Sequence, residues 1–196
     1  MKPFSQQLEE WLHSNKPKTI AGLVDLASDK GFALIFLVLM SIPALPLPTG
    51  GVTHVFEVIV GILAIEMLVG YKKIWLPKKW LKKSLGERTI KNVIPRLIKM
   101  IKWLEKYSHP RFSNLMTDRS FGQLIGLLVL IFTVAAAVAP PFSGLDTLPA
   151  LAVVALSLSV ILEDIALVPI GIVVGLVGIG LEITLGRLIL DLIHRY

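Results

Sequence analysis

The chain has 196 residues, 54% of them hydrophobic, with a mean hydropathy of +0.73, a net charge of +6 and no cysteine. Water-soluble domains are about 45–50% apolar even with Gly counted, so this composition excludes an ordinary soluble domain. The missing cysteine excludes disulfides and thiolate chemistry. Gly31–Phe56, Ser120–Leu145, Thr147–Leu162 and Ile165–Leu181 contain no Asp, Glu, Lys or Arg. Runs of about 18 or more such residues mark membrane-spanning helices. The expected class is an all-α integral membrane protein with four main apolar segments and a single membrane domain. The opening "MKPFSQQLEEWLHSNKPK" carries Glu9 and Glu10 and lacks the apolar core of a cleavable signal. The first apolar segment is therefore expected to act as its own insertion signal. Residues 1–30 read as short surface helices, with Ser14 and Thr19 as candidate caps.

The first apolar segment, 31–70, is interrupted by "SIPALPLPTGGVTH", with prolines at 43, 46 and 48. Its first arm, Gly31–Ile42, reaches only about 18 Å as a helix, against a hydrocarbon core of about 30 Å. Irregular backbone at membrane depth is tolerated only where protein buries it or it lines an aqueous cavity. The break is thus either an exposed turn between two tilted spans or the tip of a re-entrant hairpin.

Residues 71–119 hold fourteen of the twenty Lys and Arg against Glu87, Glu105 and Asp118, so this linker carries +11 and the rest of the chain −5. The positive-inside rule makes it cytoplasmic. Between membrane spans, anionic lipid headgroups are the expected partner rather than nucleic acid. Ile90, Val93, Ile94, Leu97, Ile101 and Leu104 recur at spacings of three and four, which predicts a basic amphipathic helix lying in the membrane interface. Pro95 is expected to kink it.

The segment 120–163 repeats the first. "LASDKGFALIFLVL" from Leu26 aligns with "LMTDRSFGQLIGLL" from Leu115, matching Asp29-Lys30 to Asp118-Arg119 and Phe32 to Phe121. Each half continues into a Pro-rich break and a second apolar run, with a shift of about four residues that pairs Thr53 with Asp146. Two internal repeats of Pro/Gly-broken hairpins are expected. If the first repeat crosses an even number of times, the repeats are parallel about the membrane normal; an odd number makes them inverted. Glu163-Asp164 then marks a turn, and 165–196 forms a C-terminal transmembrane and amphipathic helix.

The order "LPLPTGG", "GYKKIWLPKKWL", a basic amphipathic linker and "PPFSGLDTLPALAVVALSLSVILEDIALVPIG" resembles the ExoD family of bacterial membrane proteins, from about Thr19 to about Gly180. "WLP" at Trp75–Pro77 and "TLPALA" ahead of an acidic pair are its most specific parts. Glu66 departs from the family pattern, where a neutral residue such as Gln is expected. The break "TGGVTH" is more polar than usual. The resemblance implies a bacterial inner-membrane protein associated with exopolysaccharide synthesis. That names a pathway rather than a reaction, and brings no catalytic residue with it.

An acid inside an apolar run is a functional-site candidate by default. Glu57 fits, and His54, three residues earlier, shares its helix face. Glu66, nine residues on, faces away and sits near the interface. Exposed N–H groups at broken helix ends near Thr49, Gly50, Gly51, Ser143 and Gly144, with Asp146, point to an anion or polar headgroup held between the hairpins. Asp146 otherwise reads as the cap of a helix starting at Thr147. Gly122–Gly126 and Gly171–Gly175 have the spacing of close helix contacts, within the chain or across a homodimer. No metal site, cofactor motif or catalytic constellation is visible. Two functions fit: a small transporter- or flippase-like protein, dimeric because 196 residues is small for a transporter, or a non-catalytic scaffold of a polysaccharide assembly machine.

Overall fold

The computed structural model describes residues 3–27, 30–45, 52–71, 74–75, 79, 82–87, 89–106, 108, 118–140 and 143–194. Among them are eight α-helices and no strand beyond one isolated bridge, Thr19–Ser84. In chain order they are α1 (Phe4–His13), α2 (Ile20–Ala27), α3 (Gly31–Met40), α4 (Val52–Val69), α5 (Ile94–Glu105), α6 (Arg119–Val138), α7 (Thr147–Leu162) and α8 (Leu167–His194).

Two short helices form the centre. In α3 nine of ten residues are buried, and α7 is buried on nearly every side. A helix that is apolar all round belongs in an interior. They pack on each other, with α4 against α3, α6 against both α4 and α7, and α8 along α7. The outer helices show apolar stripes at helical spacing: Val55, Val58, Ile62, Ile65 and Val69 on α4, and Leu124, Leu127, Ile131, Val134 and Val138 on α6. On α8, Ile170, Val173, Leu176, Val177 and Leu181 do the same. Apolar exposure on this scale needs an apolar surrounding. Arg119–Val138 and Leu167–Arg187 are long and apolar enough to cross a membrane, whereas α3 and α7 are shorter apolar helices. The tail beyond Glu182 continues α8 as one helix to His194.

Helix ends at one pole of the bundle are closed by cations from other helices. Gly70 follows α4 at φ +96°, and the Tyr71 N–H donates to Glu66 O at 3.0 Å. Arg119, entering α6, donates to Val69 O at 3.4 Å, and Gln123 donates to Leu68 O at 2.9 Å. A side chain at position 70 would collide with the Arg119 guanidinium. At the end of α7, Glu163 is left-handed (φ 56°) and the Asp164 N–H donates to Ser159 O at 3.0 Å. Lys30, entering α3, donates to Ile161 O and pairs with Glu163, both at 2.8 Å. Each cation meets the negative end of a helix and carbonyls that lack an intrahelical donor. Glu163-Asp164 does make the tight turn expected between α7 and α8. Asp164 accepts from the Ala166 N–H and from Ser108 Oγ, both at 3.1 Å.

The same pole carries the N-terminal helices and the linker. Thr19 caps α2 by accepting the Gly22 N–H at 3.2 Å. Ser14 closes α1 rather than starting a helix, its hydroxyl donating to Trp11 O at 2.7 Å. The linker helix departs from expectation. Its apolar face is covered by protein: Ile94, Leu97, Ile98 and Ile101 are buried, and α1, whose buried residues include Phe4, Leu8 and Trp11, packs on α5. The apolar stripe found a protein partner of matching length. Glu105 fixes the pairing by accepting from the Ser5 N–H at 3.0 Å and from the Ser5 hydroxyl. Pro95 does not kink a helix either. A π-turn over Thr89–Val93 precedes it and α5 begins at Ile94, which places Pro95 in the first turn where its missing N–H costs nothing.

The glycine pairs lie at contacts within the chain. A Cβ on Gly126 would stand 2.8 Å from Leu68 N and 3.2 Å from Ala64 O, so α6 touches α4 backbone to backbone; Gly122 meets only Met67 Cε, at 4.0 Å. Gly171 sits against Leu156 and Ala152 O of α7, and Gly175 against the ring of Phe132. Gly178, outside the expected pairs, abuts Leu148 and Pro149. Gly126→Ala is expected to lower the stability of the detergent-solubilised protein by about 1–3 kcal/mol, the usual cost of overpacking. Gly122→Ala should leave the melting temperature near that of the parent, and thermal unfolding followed by circular dichroism compares them.

Candidate functional site: an acidic cluster at the broken ends of the hairpins

The pole opposite the cations is where α4 and α7 begin. In the first turns of α4, positions 53, 54 and 57 turn toward the bundle while Val55 and Val58 turn outward. Glu57 is 1% exposed and its neighbour Thr53 2%. His54 Nδ1 lies 2.6 Å from Glu57 Oε2, a hydrogen bond between a fully buried carboxylate and an imidazole about one-third exposed. The other oxygen, Glu57 Oε1, is buried without a hydrogen-bond partner among the described residues. A buried charge normally fills its hydrogen-bonding capacity, so this oxygen marks the site.

Asp146 stands at the N-cap position of α7 but makes no side-chain capping bond there, contrary to the simplest reading of its position. It interacts electrostatically with His54 and Glu57 of α4 and with Glu182 of α8. Glu182 was missed by sequence reasoning. It sits one turn beyond Gly178, whose contact with Leu148 and Pro149 brings α8 against the start of α7. Its Oε1 is likewise buried without a partner among the described residues. Thr133 Oγ1 is another such atom, on α6 where Thr133 Cγ2 approaches Gly61.

Helix lengths put these acids at one depth. At 1.5 Å per residue, Glu57 is about 18 Å from the Val69 end of α4 and Asp146 about 24 Å from the Leu162 end of α7; Glu182 is about 22 Å along α8 from Leu167. All three lengths run from the cationic pole, and each is shorter than the roughly 30 Å of a hydrocarbon layer.

Of the expected site residues, the structure brings together His54, Glu57 and Asp146. Thr49, Gly50 and Gly51 lie outside the described residues. Ser143 and Gly144 are exposed in the turn before α7. Ser143 Oγ accepts the Leu145 N–H at 3.2 Å, and Gly144 adopts φ +70° with open space where a side chain would stand. They shape the entry to α7 rather than line the cluster. Glu66 is apart from the site, its carboxylate accepting the Trp75 N–H at 2.9 Å. His54 is thus the one basic partner named for Glu57 and Asp146, while Glu182 is linked to the group through Asp146.

The family model described as "Exopolysaccharide synthesis, ExoD" matches residues 4–184. An uncharacterized protein of Synechocystis sp. (strain ATCC 27184 / PCC 6803 / Kazusa), slr1875, is 28% identical over 157 residues, which cover 78% of this chain and 73% of the relative. No solved structure matches.

The pairing of His54 with Glu57 has an energetic signature. His54→Leu strands a buried carboxylate and is expected to cost about 2 kcal/mol, in the range for breaking a hydrogen bond to a charged group. The double variant His54→Leu/Glu57→Leu should recover much of that loss, because both polar groups leave together. Chemical unfolding of the parent, His54→Leu, Glu57→Leu and the double variant in one detergent measures the coupling.

Proposed function

We propose that this chain, which belongs to the ExoD family of exopolysaccharide-synthesis proteins, is a small multi-pass protein of the bacterial inner membrane, transporter- or flippase-like, with its site between two broken hairpins. The single observation that carries the reading is Glu57: a fully buried carboxylate with one oxygen left without a donor, placed where both hairpins begin their second arms. Such a group costs several kcal/mol at membrane depth, which supports a functional role for it.

The repeat reading is supported by the way the hairpins meet. Lys30 and Arg119, paired in the sequence alignment, each reach the C-terminal carbonyls of the other repeat's second arm. Both second arms close on a left-handed residue, Gly70 and Glu163, and both show the same hydrogen bond back by five residues, Tyr71 to Glu66 and Asp164 to Ser159. The shift of 93 that pairs Gly70 with Glu163 also pairs Thr53 with Asp146. The first arm of each repeat packs on the second arm of the other, α3 on α7 and α6 on α4. With both cations at one pole, this pattern favours parallel repeats about the membrane normal. On this reading the cationic pole and the linker face the cytoplasm. Exposed Arg96, Lys99, Lys102 and Lys106 on and just after α5 would meet anionic lipid headgroups. The exposed stripes of α4, α6 and α8 face lipid or a second copy in a homodimer.

Accessibility tests the reading. Single cysteines introduced as Thr49→Cys and Ser143→Cys are labelled with a membrane-impermeant thiol reagent in intact cells and in inside-out vesicles. Re-entrant hairpins predict protection from outside and labelling through the cytoplasmic face at both positions. Ready labelling from outside at both would make the breaks ordinary turns. In liposomes carrying NBD-labelled phosphatidylglycerol, dithionite bleaching beyond the outer-leaflet half supports transport. Bleaching that stops at that half, with a copurifying synthase, supports the scaffold.

A further inference from the structure

We propose that Glu57 is a proton-binding carboxylate, and that Glu57, Asp146 and Glu182 together form the proton site of this protein. The inference rests on the transport reading above and names the ligand of that site.

From α4 the site receives His54 and Glu57, from the start of α7 Asp146, and from α8 Glu182. On α6 the residues from Phe121 to Val138 include no titratable group, and α3 contains none either. Three carboxylates and one imidazole leave a negative excess at any protonation state of His54. Around the buried Glu57 carboxylate that excess is weakly screened, so it favours uptake of positive charge. A multivalent cation needs three or more converging ligands, and among the described residues no group of three or more His, Asp or Glu is placed to hold one. A proton needs one oxygen.

Glu57 is the acceptor the geometry selects. Its side chain is wholly buried and Oε2 is engaged by His54 at 2.6 Å, which leaves Oε1 as the vacant position. Uptake of H⁺ converts the Glu57 carboxylate to the neutral acid with no other bond made or broken. Release returns the proton to water. Asp146 lies at a helix start whose turn is exposed at Ser143 and Gly144, a route from the site to solvent. His54, about one-third exposed and bonded to Glu57, is a second.

Infrared difference spectroscopy reads the proton directly. The full-length protein in lipid nanodiscs is perfused alternately with acidic and neutral buffer, and the carbonyl stretch of a buried carboxylic acid is followed. The wild type should show this band, it should shift when glutamate is ¹³C-labelled at the side-chain carboxyl, and Glu57→Gln should abolish it. Glu66→Gln, at a site bonded to Trp75 and away from the cluster, should keep it in full. Absence of the band from the wild type, its failure to shift on labelling, or its full retention in Glu57→Gln would each overturn the proposal. The wild-type measurements stand even if a variant fails to fold. A band lost in Glu57→Gln alongside an inert liposome assay supports the proton site while overturning the transport reading. Lipid flux without the band does the reverse.

Discussion

Backbone polar groups inside a membrane must find partners within the protein, because lipid offers none. A bundle with a ten-residue helix at its centre strains that requirement most at the helix ends. Here the ends of α4 and α7 are closed twice over. A left-handed residue turns the chain back on its own carbonyls, and a cation from the opposing hairpin covers what remains. Without Lys30 and Arg119 the ends of α7 and α4 would each stand as a bare partial negative charge. The packing of α3 on α7 and of α6 on α4 depends on that closure, and the acidic cluster depends on the packing.

The two poles are built differently for a physical reason. Cations at helix C-termini are favoured by the helix dipole, so the pole where α4 and α7 end is comfortable with its charge. At the other pole α4 and α7 begin. Carboxylates are compatible with helix starts, but burial opposes them and they crowd one another. A stable fold that merely needed to span a bilayer could place leucine at 57. The cluster is therefore a local conflict retained in an otherwise consistent structure, and such conflicts concentrate where proteins do chemistry or binding.

Much of this was legible from the sequence. Glu57 stood out as an acid in an apolar run, and His54 as its neighbour one turn away. Asp146 followed from the alignment of the halves, and the pairing of Lys30 with Arg119 was visible before its role as a mutual helix closure. Glu182 was not legible. Its position at the end of an apolar span reads as the start of a polar helix face, and only the docking of α8 through Gly171, Gly175 and Gly178 brings it to Asp146. The fate of α5 was not legible either. An amphipathic basic helix looks the same to a bilayer and to another amphipathic helix, and α1 lies roughly a hundred residues away, beyond the reach of local pattern. The broken segment 46–51 lies outside the described residues, so the sequence remains the guide to it.

That pairing of α1 with α5 has a consequence for how the chain is made. Ser5 and Glu105, which lock the two helices, are 100 residues apart. Domains emerge N-terminus first at about 5–20 residues per second, so α1 precedes its partner by roughly 5–20 s. Throughout that interval Phe4, Leu8 and Trp11 lack the surface that finally covers them. The apolar face of the N-terminal helix is therefore open to any other apolar surface until α5 has been made.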